Sequence, residues 1–257
     1  MDISGAHVLV TGASRGIGEA LARELASRGA RVTLAARSTA ALSGLAREIG
    51  GTVLTTDLAT SEGRKGLVAQ AEEAGGGHLD ILVNNAGVDM ARHIADLSRD
   101  DLERLVSVNV LAVMELTRQA VPGMIERRHG HILNISSLSA AFAGPGIAAY
   151  SASRAAISQF TASLRFDLDG TGVGATVVEA GFLETHVRTS ILSHEPMARL
   201  YRRFVRMGAL VDTPLDTLAR GAVDGMETGK ATVRYPGRVR PALALVDVPR
   251  RMTWLFK

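Results

Sequence analysis

The feature that most constrains the fold is a glycine-rich segment near the start of the chain, TGASRGIG at residues 11–18. It follows a short apolar run, Val8 to Val10, and precedes a helical pattern over residues 19–28. This order predicts a strand that enters a helix through a tight turn. The first amides of a helix are unpaired donors at the positive end of its dipole, so they stabilise an anion such as a pyrophosphate. The segment therefore predicts a phosphate-binding turn.

The three glycines of this turn have separate roles. Gly12 allows the tight turn, Gly16 removes a side chain that would block the phosphates, and Gly18 lets the helix lie close to the strand. On its own the motif is weak evidence of function, because glycine-rich turns occur in unrelated proteins. The candidate contacts to a bound anion are Gly12, Ser14, Arg15, Gly16, Ile17 and Gly18.

Short runs of strand-forming residues alternate with helical patterns over the first 180 residues. These runs are apolar on both faces, as in parallel strands that are covered by helices on both sides. The pattern predicts an α/β fold with a doubly wound parallel sheet. A length of 257 residues without an internal repeat predicts one domain over residues 1–257. The predicted strands are 6–10, 31–35, 52–56, 81–83, 131–135 and 175–178.

Composition excludes several classes of function. The chain has no cysteine, which excludes disulfides and cysteine-based zinc sites and fits a cytoplasmic location. No run of roughly 20 apolar residues or signal-peptide pattern is visible, so we expect a soluble protein. The net charge is +3, but residues 230–257 carry seven basic residues and one acid, which leaves −3 for the remainder. Since no basic stripe with interleaved aromatics runs through the body, we expect no nucleic-acid partner.

The histidines lack the paired helical spacing of a zinc site, so we expect no metal. His129 and His131 flank a glycine between a helical pattern and a strand pattern. We expect both to be exposed to solvent or to cap the helix. His93 and His186 are candidates for the mouth of a substrate site or for the surface.

The strand pattern lapses between residues 182 and 212, which we interpret as an inserted substrate loop. Apolar side chains recur there at helical spacing among arginines, which predicts an amphipathic cover or, alternatively, ordinary core or subunit packing. These side chains are Met197, Leu200, Phe204 and Met207.

Residues 237–257 form a basic and apolar tail. Arg234 and the arginines that follow it could hold the protein on an anionic membrane surface. We favour packing of the tail on a neighbouring subunit or at the substrate mouth, because Asp247 and prolines at 236, 241 and 249 interrupt any amphipathic helix.

Further motifs follow in a fixed order along the chain. Asn84-Asn85-Ala86-Gly87 follows the fourth strand, Ser137 follows the fifth, and Tyr150 lies thirteen residues beyond Ser137. With the glycine-rich turn, this set resembles the classical short-chain dehydrogenase/reductase family from about Asp2 to Thr232. The resemblance implies a Rossmann-type fold, a nicotinamide cofactor, and hydride transfer between a carbonyl and an alcohol. It also implies a homodimer or homotetramer.

The resemblance implies a role for each matching residue. Ser137 would polarise the substrate oxygen, Tyr150 would exchange its proton, and Asn109 would lie in a helix that positions a relay water. Read without the family, Asp57 fits a turn or cap and Asn109 a buried amide bonded to backbone. The implied cofactor contacts are Asp57, Leu58, Asn84, Ala86, Gly87, Tyr150, Arg154 and Thr185.

The chain departs from the family at Arg154, where the pattern Tyr-x-x-x-Lys has its lysine. Position 154 is one helical turn after Tyr150, and a tyrosine needs a fixed cation nearby to act as a base near neutral pH. Arginine keeps the charge and its donors but cannot release a proton, so the lysine's relay role is put in doubt. We favour an active enzyme; the alternative is a non-catalytic NADP(H)-binding regulatory or scaffolding relative. A second departure is Ala180-Gly181 in place of Pro-Gly.

The charged residues that follow the glycine-rich turn indicate which nicotinamide cofactor the protein uses. A fingerprint for NAD has an acid about 20 residues after the glycines, and this chain has none between Glu24 and Glu48. Arg15 and Arg37 could instead bind a 2′-phosphate, or they could simply be solvated. We therefore expect an NADP(H)-dependent oxidoreductase that interconverts a ketone and a secondary alcohol on an apolar or lipid-like small molecule.

A subunit interface is expected on the helices at 98–127 and 150–168. Its candidate apolar seam is Leu102, Leu105, Val113, Leu116, Ala156, Phe160 and Leu164.

Overall fold

A parallel β-sheet forms the centre of the computed structural model, which describes residues 1–141, 143–181, 192, 194–206 and 213–237. Seven strands lie within these residues, in the spatial order β3-β2-β1-β4-β5-β6-β7, and every neighbouring pair is parallel. The strands are β1 (His7–Thr11), β2 (Arg31–Ala36), β3 (Thr52–Thr55), β4 (Ile81–Asn84), β5 (Gly130–Ser137), β6 (Val173–Ala180) and β7 (Thr232–Tyr235).

Helices connect the strands and cover both faces of the sheet. They are α1 (Gly16–Ser27), α2 (Thr39–Ile49), α3 (Ser61–Arg64), α4 (Leu67–Ala74), α5 (Arg99–Val106), α6 (Ala112–Glu126), α7 (Ala148–Asp167), α8 (Glu195–Arg206) and α9 (Leu215–Glu227). A π-helical turn, Ser107–Leu111, joins α5 to α6. Short 3₁₀ turns occupy Ile94–Asp96 and Leu138–Ala140. The expected α/β, doubly wound Rossmann-type domain is thereby confirmed.

Two apolar cores lie on opposite faces of the sheet, because successive strand residues point to opposite sides. Val8 and Val10 pack with α1, α2 and α9, whereas Leu9 between them packs with α4, α6 and α7. The strand order reverses between β1 and β4. In sheets of this kind, ligands bind outside the carboxyl ends of the strands at that reversal.

The strand prediction was correct for six strands but placed several ends too early. Asn84 and Ser137 are the last residues of β4 and β5 rather than the residues after them. The prediction missed β7, a four-residue strand that pairs with β6 from Val177 to Ala180. Its alternating small, basic and aromatic residues give little apolar signal.

The long helix predicted after Ser98 is present as α5, the π-helical turn and α6. Ser98 caps this helix: its Oγ accepts from the N–H of Asp101 at 3.1 Å, and the Asp101 carboxylate accepts from the N–H of Ser98 at 3.2 Å. Pro122 does not end α6, which continues to Glu126.

Part of the expected apolar seam between subunits is buried inside the protomer. Leu105, Val113, Leu116 and Leu164 are buried inside the protomer, so the prediction that they form an apolar seam between subunits is wrong. The large apolar side chains that α5 and the π-helical turn leave exposed are instead Val106, at 51%, and Leu111, at 45%.

The expectation that His131 is exposed or caps a helix was wrong. His131 is not exposed: it lies in β5 with its ring packed against Gly174 and its Nε2 2.9 Å from Thr176 Oγ1. His129 is exposed, as expected. Arg234 is buried in β7 in an ion pair with Glu179, which fits packing against the protein rather than contact with a membrane surface.

No helix among the described residues has the length and apolar character needed to cross a bilayer. The tail from residue 238, Met207 and most of the expected loop at 182–212 lie outside the described residues.

Candidate active site

The glycine-rich turn connects β1 to α1 as the sequence predicts. Gly12 and Gly16 have φ values of 65° and 61°, a region that side chains other than glycine rarely adopt. A Cβ at Gly18 would overlap the Asn85 amide and the Gly12 carbonyl, so the third glycine permits close packing. Helix α1 begins at Gly16, and its first amides face the turn. The turn therefore has the geometry that an anion-binding helix start requires.

Thr11 and Asn85 fix this turn to the end of β4. Thr11 Oγ1 accepts from the N–H groups of Asn85 and Ala86, at 3.0 and 3.1 Å, and donates to the Val83 carbonyl at 3.1 Å. The Asn85 amide donates to the carbonyls of Thr11 and Gly12, at 2.9 and 3.1 Å. Both residues lie in quoted motifs, Thr11 in TGASRGIG and Asn85 in Asn84-Asn85-Ala86-Gly87, but the bonds between them were not predicted.

Asn84 has a different environment from Asn85. Its amide is buried in the core and donates to Asn134 Oδ1 at 2.9 Å and to Thr117 Oγ1 at 3.3 Å. Its Oδ1 is buried without a hydrogen-bond partner among the described residues. The side chain therefore ties β4 to β5 and α6. The main chain at Ala86 and Gly87 lies beyond it, at the carboxyl end of the sheet.

The loop after β3 holds two of the implied cofactor contacts, Asp57 and Leu58. Asp57 Oδ1 accepts from the N–H of Ala59 at 3.0 Å, which is the turn geometry that we considered as the alternative. Leu58 is buried, and its carbonyl accepts from Arg64 at 2.8 Å. Arg64 also donates to Glu115 at 2.8 Å. Arg64 and Glu115, which sequence reasoning missed, thus hold the loop in place.

Two exposed arginines stand near the carboxyl ends of β1 and β2. Arg15 precedes α1, and Arg37 follows β2. Neither guanidinium has a hydrogen-bond or ion-pair partner in the part of the chain that the structure describes. No acidic side chain occurs between Glu24 and Glu48 to compete for them. Both are therefore available to an anionic group of a ligand.

Ser137 and Tyr150 lie on adjacent elements. Ser137 ends β5, and its Oγ accepts from the N–H of Ser139 at 3.2 Å. Tyr150 is the third residue of α7 and is buried. Ser136 connects the two elements: its Oγ donates to the Arg154 carbonyl at 2.9 Å. This bond fixes the turn of α7 after Tyr150 relative to the strand that carries Ser137.

Asn109 lies in the π-helical turn and is fully buried. Its Oδ1 accepts from the Val88 N–H at 2.8 Å, and its Nδ2 donates to the Val88 carbonyl at 2.8 Å and to Ser153 Oγ at 3.1 Å. Ser153 donates to the Tyr150 carbonyl at 2.7 Å. Asn109 thus joins the segment after β4 to the first turn of α7, and its side chain matches the backbone-bonded alternative.

Arg154 is 94% buried, with 6% of its surface exposed, and its guanidinium carbon lies 5.1 Å from the centre of the Tyr150 ring. Nη1 donates to the Ile135 carbonyl at 3.2 Å, and Nε is buried without a partner among the described residues. Nη2 lies against Gly87, where any Cβ would overlap it. A guanidinium has five N–H donors, so most of these donors remain free for a ligand at Gly87.

A buried polar chain lies beneath Arg154. Ser136 Oγ is 2.9 Å from Ser158 Oγ, which donates to Glu179 Oε1 at 2.9 Å. Arg234 Nε donates to Glu179 Oε2 at 2.5 Å, and both side chains of this ion pair are buried. These bonds link β7 and β6 to α7, and the residues that form them are far apart in sequence.

An apolar cluster surrounds Tyr150. Leu105, Ile147 and Met197 are buried with it, and Leu200 packs against them. The two described members of the expected cover, Met197 and Leu200, therefore lie over the tyrosine. His194 packs on Gly146 and edge-on against His93, with ring centres 4.8 Å apart. Thr185, the expected carboxamide contact, lies outside the described residues.

Comparison with known proteins agrees with the fold. A family model described as short chain dehydrogenase matches residues 6–196. An uncharacterized short-chain type dehydrogenase/reductase of Sinorhizobium fredii is 37% identical over 84% of this chain and 92% of its own. An NADP-dependent 3-hydroxy acid dehydrogenase of Salmonella typhi is 37% identical over 68% of this chain and 72% of its own. A gluconate 5-dehydrogenase of Burkholderia cenocepacia, solved with NADP and tartrate, has a TM-score of 0.81 at 27% identity, covering 93% of this chain and 96% of that one.

Proposed function

This chain belongs to the short-chain dehydrogenase family, whose fold binds a nicotinamide cofactor, and from that membership we propose that it is an NADP(H)-dependent oxidoreductase that interconverts a ketone and a secondary alcohol. The observation that carries the proposal is the buried Arg154 guanidinium, 5.1 Å from the Tyr150 ring and next to Gly87. It supplies the fixed positive charge that a catalytic tyrosine needs, although the family's lysine is absent.

Each residue of the proposed site has a chemical task. The bound nicotinamide supplies or accepts the hydride. As charge develops on the substrate oxygen, the Tyr150 hydroxyl exchanges a proton with it and the Ser137 hydroxyl donates a second hydrogen bond. Arg154 would stabilise negative charge on the tyrosine oxygen, and its Nη2, which lies against Gly87, would donate to the ribose hydroxyls of a bound cofactor. Asn109 holds the Tyr150 turn in place through Ser153.

The preference for NADP(H) rests on Arg15 and Arg37. Both guanidinium groups are exposed, and both lie at strand ends next to the glycine-rich turn. The 2′-phosphate of NADP(H) would accept charge-assisted hydrogen bonds from them. The 2′-hydroxyl of NAD(H) would instead need an acidic side chain as its acceptor, and none is present between Glu24 and Glu48. The NADP-bound gluconate 5-dehydrogenase and the NADP-dependent hydroxy acid dehydrogenase support this preference by analogy.

The cluster around Tyr150 supports an apolar substrate. Its partly exposed members, Val88, Met90 and Leu200, offer hydrocarbon surface, and apolar burial contributes about 25 cal/mol per Å² of substrate surface. A ketone with an alkyl or aryl substituent suits these walls better than a polyhydroxylated sugar does. The expected substrate is therefore a small, predominantly apolar carbonyl compound or its alcohol.

A panel of ketones and secondary alcohols, assayed with NADPH and NADH by the absorbance of the reduced nicotinamide, tests the proposal. We expect turnover with NADPH, and its loss in Tyr150→Phe without loss of NADPH binding, because the hydroxyl acts on the substrate. Tight NADPH binding with no turnover on any panel member would instead favour a non-catalytic NADP(H)-binding relative. That alternative arises because Arg154 replaces the family's lysine.

Cofactor choice is tested separately by titration. Arg37→Ala should weaken NADPH binding by about tenfold or more, as expected for a lost hydrogen bond to a charged group, and leave NADH binding unchanged. Arg47→Ala removes an exposed arginine from α2 and is the matched control. Equal loss for both cofactors, or the same loss in the control, would contradict the assignment.

A further inference from the structure

Helix α8 carries four arginines on one face, Arg199, Arg202, Arg203 and Arg206. At 100° per residue these positions fall within an arc of about 100°, so the side chains form one stripe along the helix. All four are exposed, with 69% of the Arg199 side chain and 53% of the Arg202 side chain accessible. We call these four residues the arginine stripe.

The opposite face of α8 belongs to the active site. Met197 is 2% exposed and packs with Ile147 and Tyr150, and Leu200 lies against the same cluster. The arginine stripe is therefore on the outside of the helix whose inner face covers the catalytic tyrosine. A substrate that reaches Tyr150 along the edge of this helix would leave its distal end next to the stripe.

The charge of the stripe is largely uncompensated. Glu195 is its one acidic neighbour among the described residues of the helix, at 3.8 Å from Arg199 and 2.8 Å from Arg202. Arg203 and Arg206 have no ion-pair partner in the described part of the chain. Like charges three and four residues apart destabilise a helix, so this arrangement opposes the folding of α8. A bound polyanion would remove that repulsion.

The geometry of the stripe selects the type of anion. Guanidinium groups bind phosphate oxygens through paired N–H donors, which a stripe of lysines would not reproduce. At a rise of 1.5 Å per residue, the stripe is about 10 Å long, which matches a compact group of two or three phosphates. An interfacial helix inserts its apolar face into the bilayer, whereas Met197 and Leu200 on that face of α8 already pack on the Tyr150 cluster.

We propose that the arginine stripe binds the phosphorylated end of the substrate, whose apolar end carries the carbonyl to Tyr150. The proposal rests on the proposed function, because it names the substrate class of the same site. It narrows that class to carbonyl compounds attached to a polyanionic, phosphate-bearing carrier. The carrier end is held outside the helix while the reacting end lies under Met197 and Leu200.

Binding of inorganic tripolyphosphate, measured by calorimetry on protein saturated with NADPH, tests the stripe directly. Saturation with NADPH occupies Arg15 and Arg37, so the probe does not report on the cofactor site. We expect binding that weakens with added salt and falls by about tenfold or more in Arg203→Gln/Arg206→Gln. Arg47→Gln/Arg220→Gln removes two exposed arginines from α2 and α9 and should bind as the wild type does.

Loss of two mutually repelling charges should not unfold α8, and unchanged circular dichroism and NADPH affinity verify this for the double variant. Arg203→Lys/Arg206→Lys, which keeps the charge but loses the fork, should recover part of the affinity. Equal tripolyphosphate binding by the wild type and the Arg203→Gln/Arg206→Gln variant overturns the proposal. So does stripe-dependent binding to phosphatidylserine vesicles without tripolyphosphate binding, which would identify a membrane surface.

The binding experiment does not depend on turnover, so the two proposals can fail separately. If the protein binds tripolyphosphate through the arginine stripe but reduces no ketone, the anion-binding site is supported and the proposed oxidoreductase activity is refuted. If the protein reduces plain ketones but does not bind tripolyphosphate, the oxidoreductase activity is supported and the proposal of a phosphorylated substrate is refuted.

Discussion

His131 gives the protein a pH-dependent stability that can be calculated from the structure. Its ring is 3% exposed, and its Nε2 lies 2.9 Å from Thr176 Oγ1. The Thr176 hydroxyl donates to the Lys230 carbonyl at 2.7 Å, so the ring must be the donor to Thr176 through Nε2–H. Burial, together with the positive charges of the N-terminus and Arg165, lowers the pKa of His131 from 6.5 to about 4. The ring is therefore neutral in the folded protein near pH 7.

The sign of the effect follows from the unfolded chain, where a histidine has a pKa of about 6.5. As the pH falls below about 6.5, the unfolded state takes up a proton that the folded state refuses until about pH 4. The contribution to stability is thus complete above pH 6.5 and is lost progressively toward pH 4. Proton linkage with these two pKa values lowers the free energy of unfolding by about 2 kcal/mol between pH 7 and pH 5.

Urea unfolding of the wild type and His131→Gln at a series of pH values measures this term. Glutamine keeps an N–H donor for Thr176 but does not titrate, and the difference between the two curves cancels the carboxylates. His129→Gln is the matched control, because His129 is exposed two residues earlier. We expect His131→Gln to be less pH-sensitive by about 2 kcal/mol over this range and His129→Gln to match the wild type. Parallel pH dependence in the wild type and His131→Gln would refute the reasoning.

Further predictions concern the active site and the surface. Gly87→Ala should displace the Arg154 guanidinium and lower both NADPH affinity and turnover, as seen by titration and steady-state kinetics. Arg154→Lys should retain or raise kcat, because it restores a cation that fits the family pattern. Ser136→Ala should cost about 1 kcal/mol in urea unfolding and lower kcat more than it changes KM, since it frees the Arg154 turn from β5. Light scattering should show an oligomer that Val106→Glu/Leu111→Glu shifts toward the monomer, because both side chains are exposed and apolar.

The residues that the sequence predicted correctly are those whose signal is local. The glycine-rich turn and the first six strands each show their pattern within a few consecutive residues. The links that hold the site together are not local: Thr11 bonds to Asn85, and Ser158 to Glu179, across 74 and 21 residues. Serine and threonine hydroxyls have no preferred partner by type, so spacing alone could not pair them. His131 was misplaced for a related reason, because its burial depends on β6 pairing beside it.

Arg154 shows how a change at one position is accommodated by a motif elsewhere. A guanidinium is bulkier than the ammonium of a lysine, and in this fold the added volume lies over Gly87, where no side chain competes for space. The glycine that lets a ligand approach the end of β4 therefore also makes room for the arginine. Because a guanidinium does not release its proton, a proton leaving Tyr150 cannot pass through position 154. The groups that remain beside the tyrosine turn are Ser153 and Asn109, which are bonded to each other and to the main chains of Tyr150 and Val88. We therefore expect the charge of the proposed site and its proton path to be carried by different residues, whereas the family's lysine combines them.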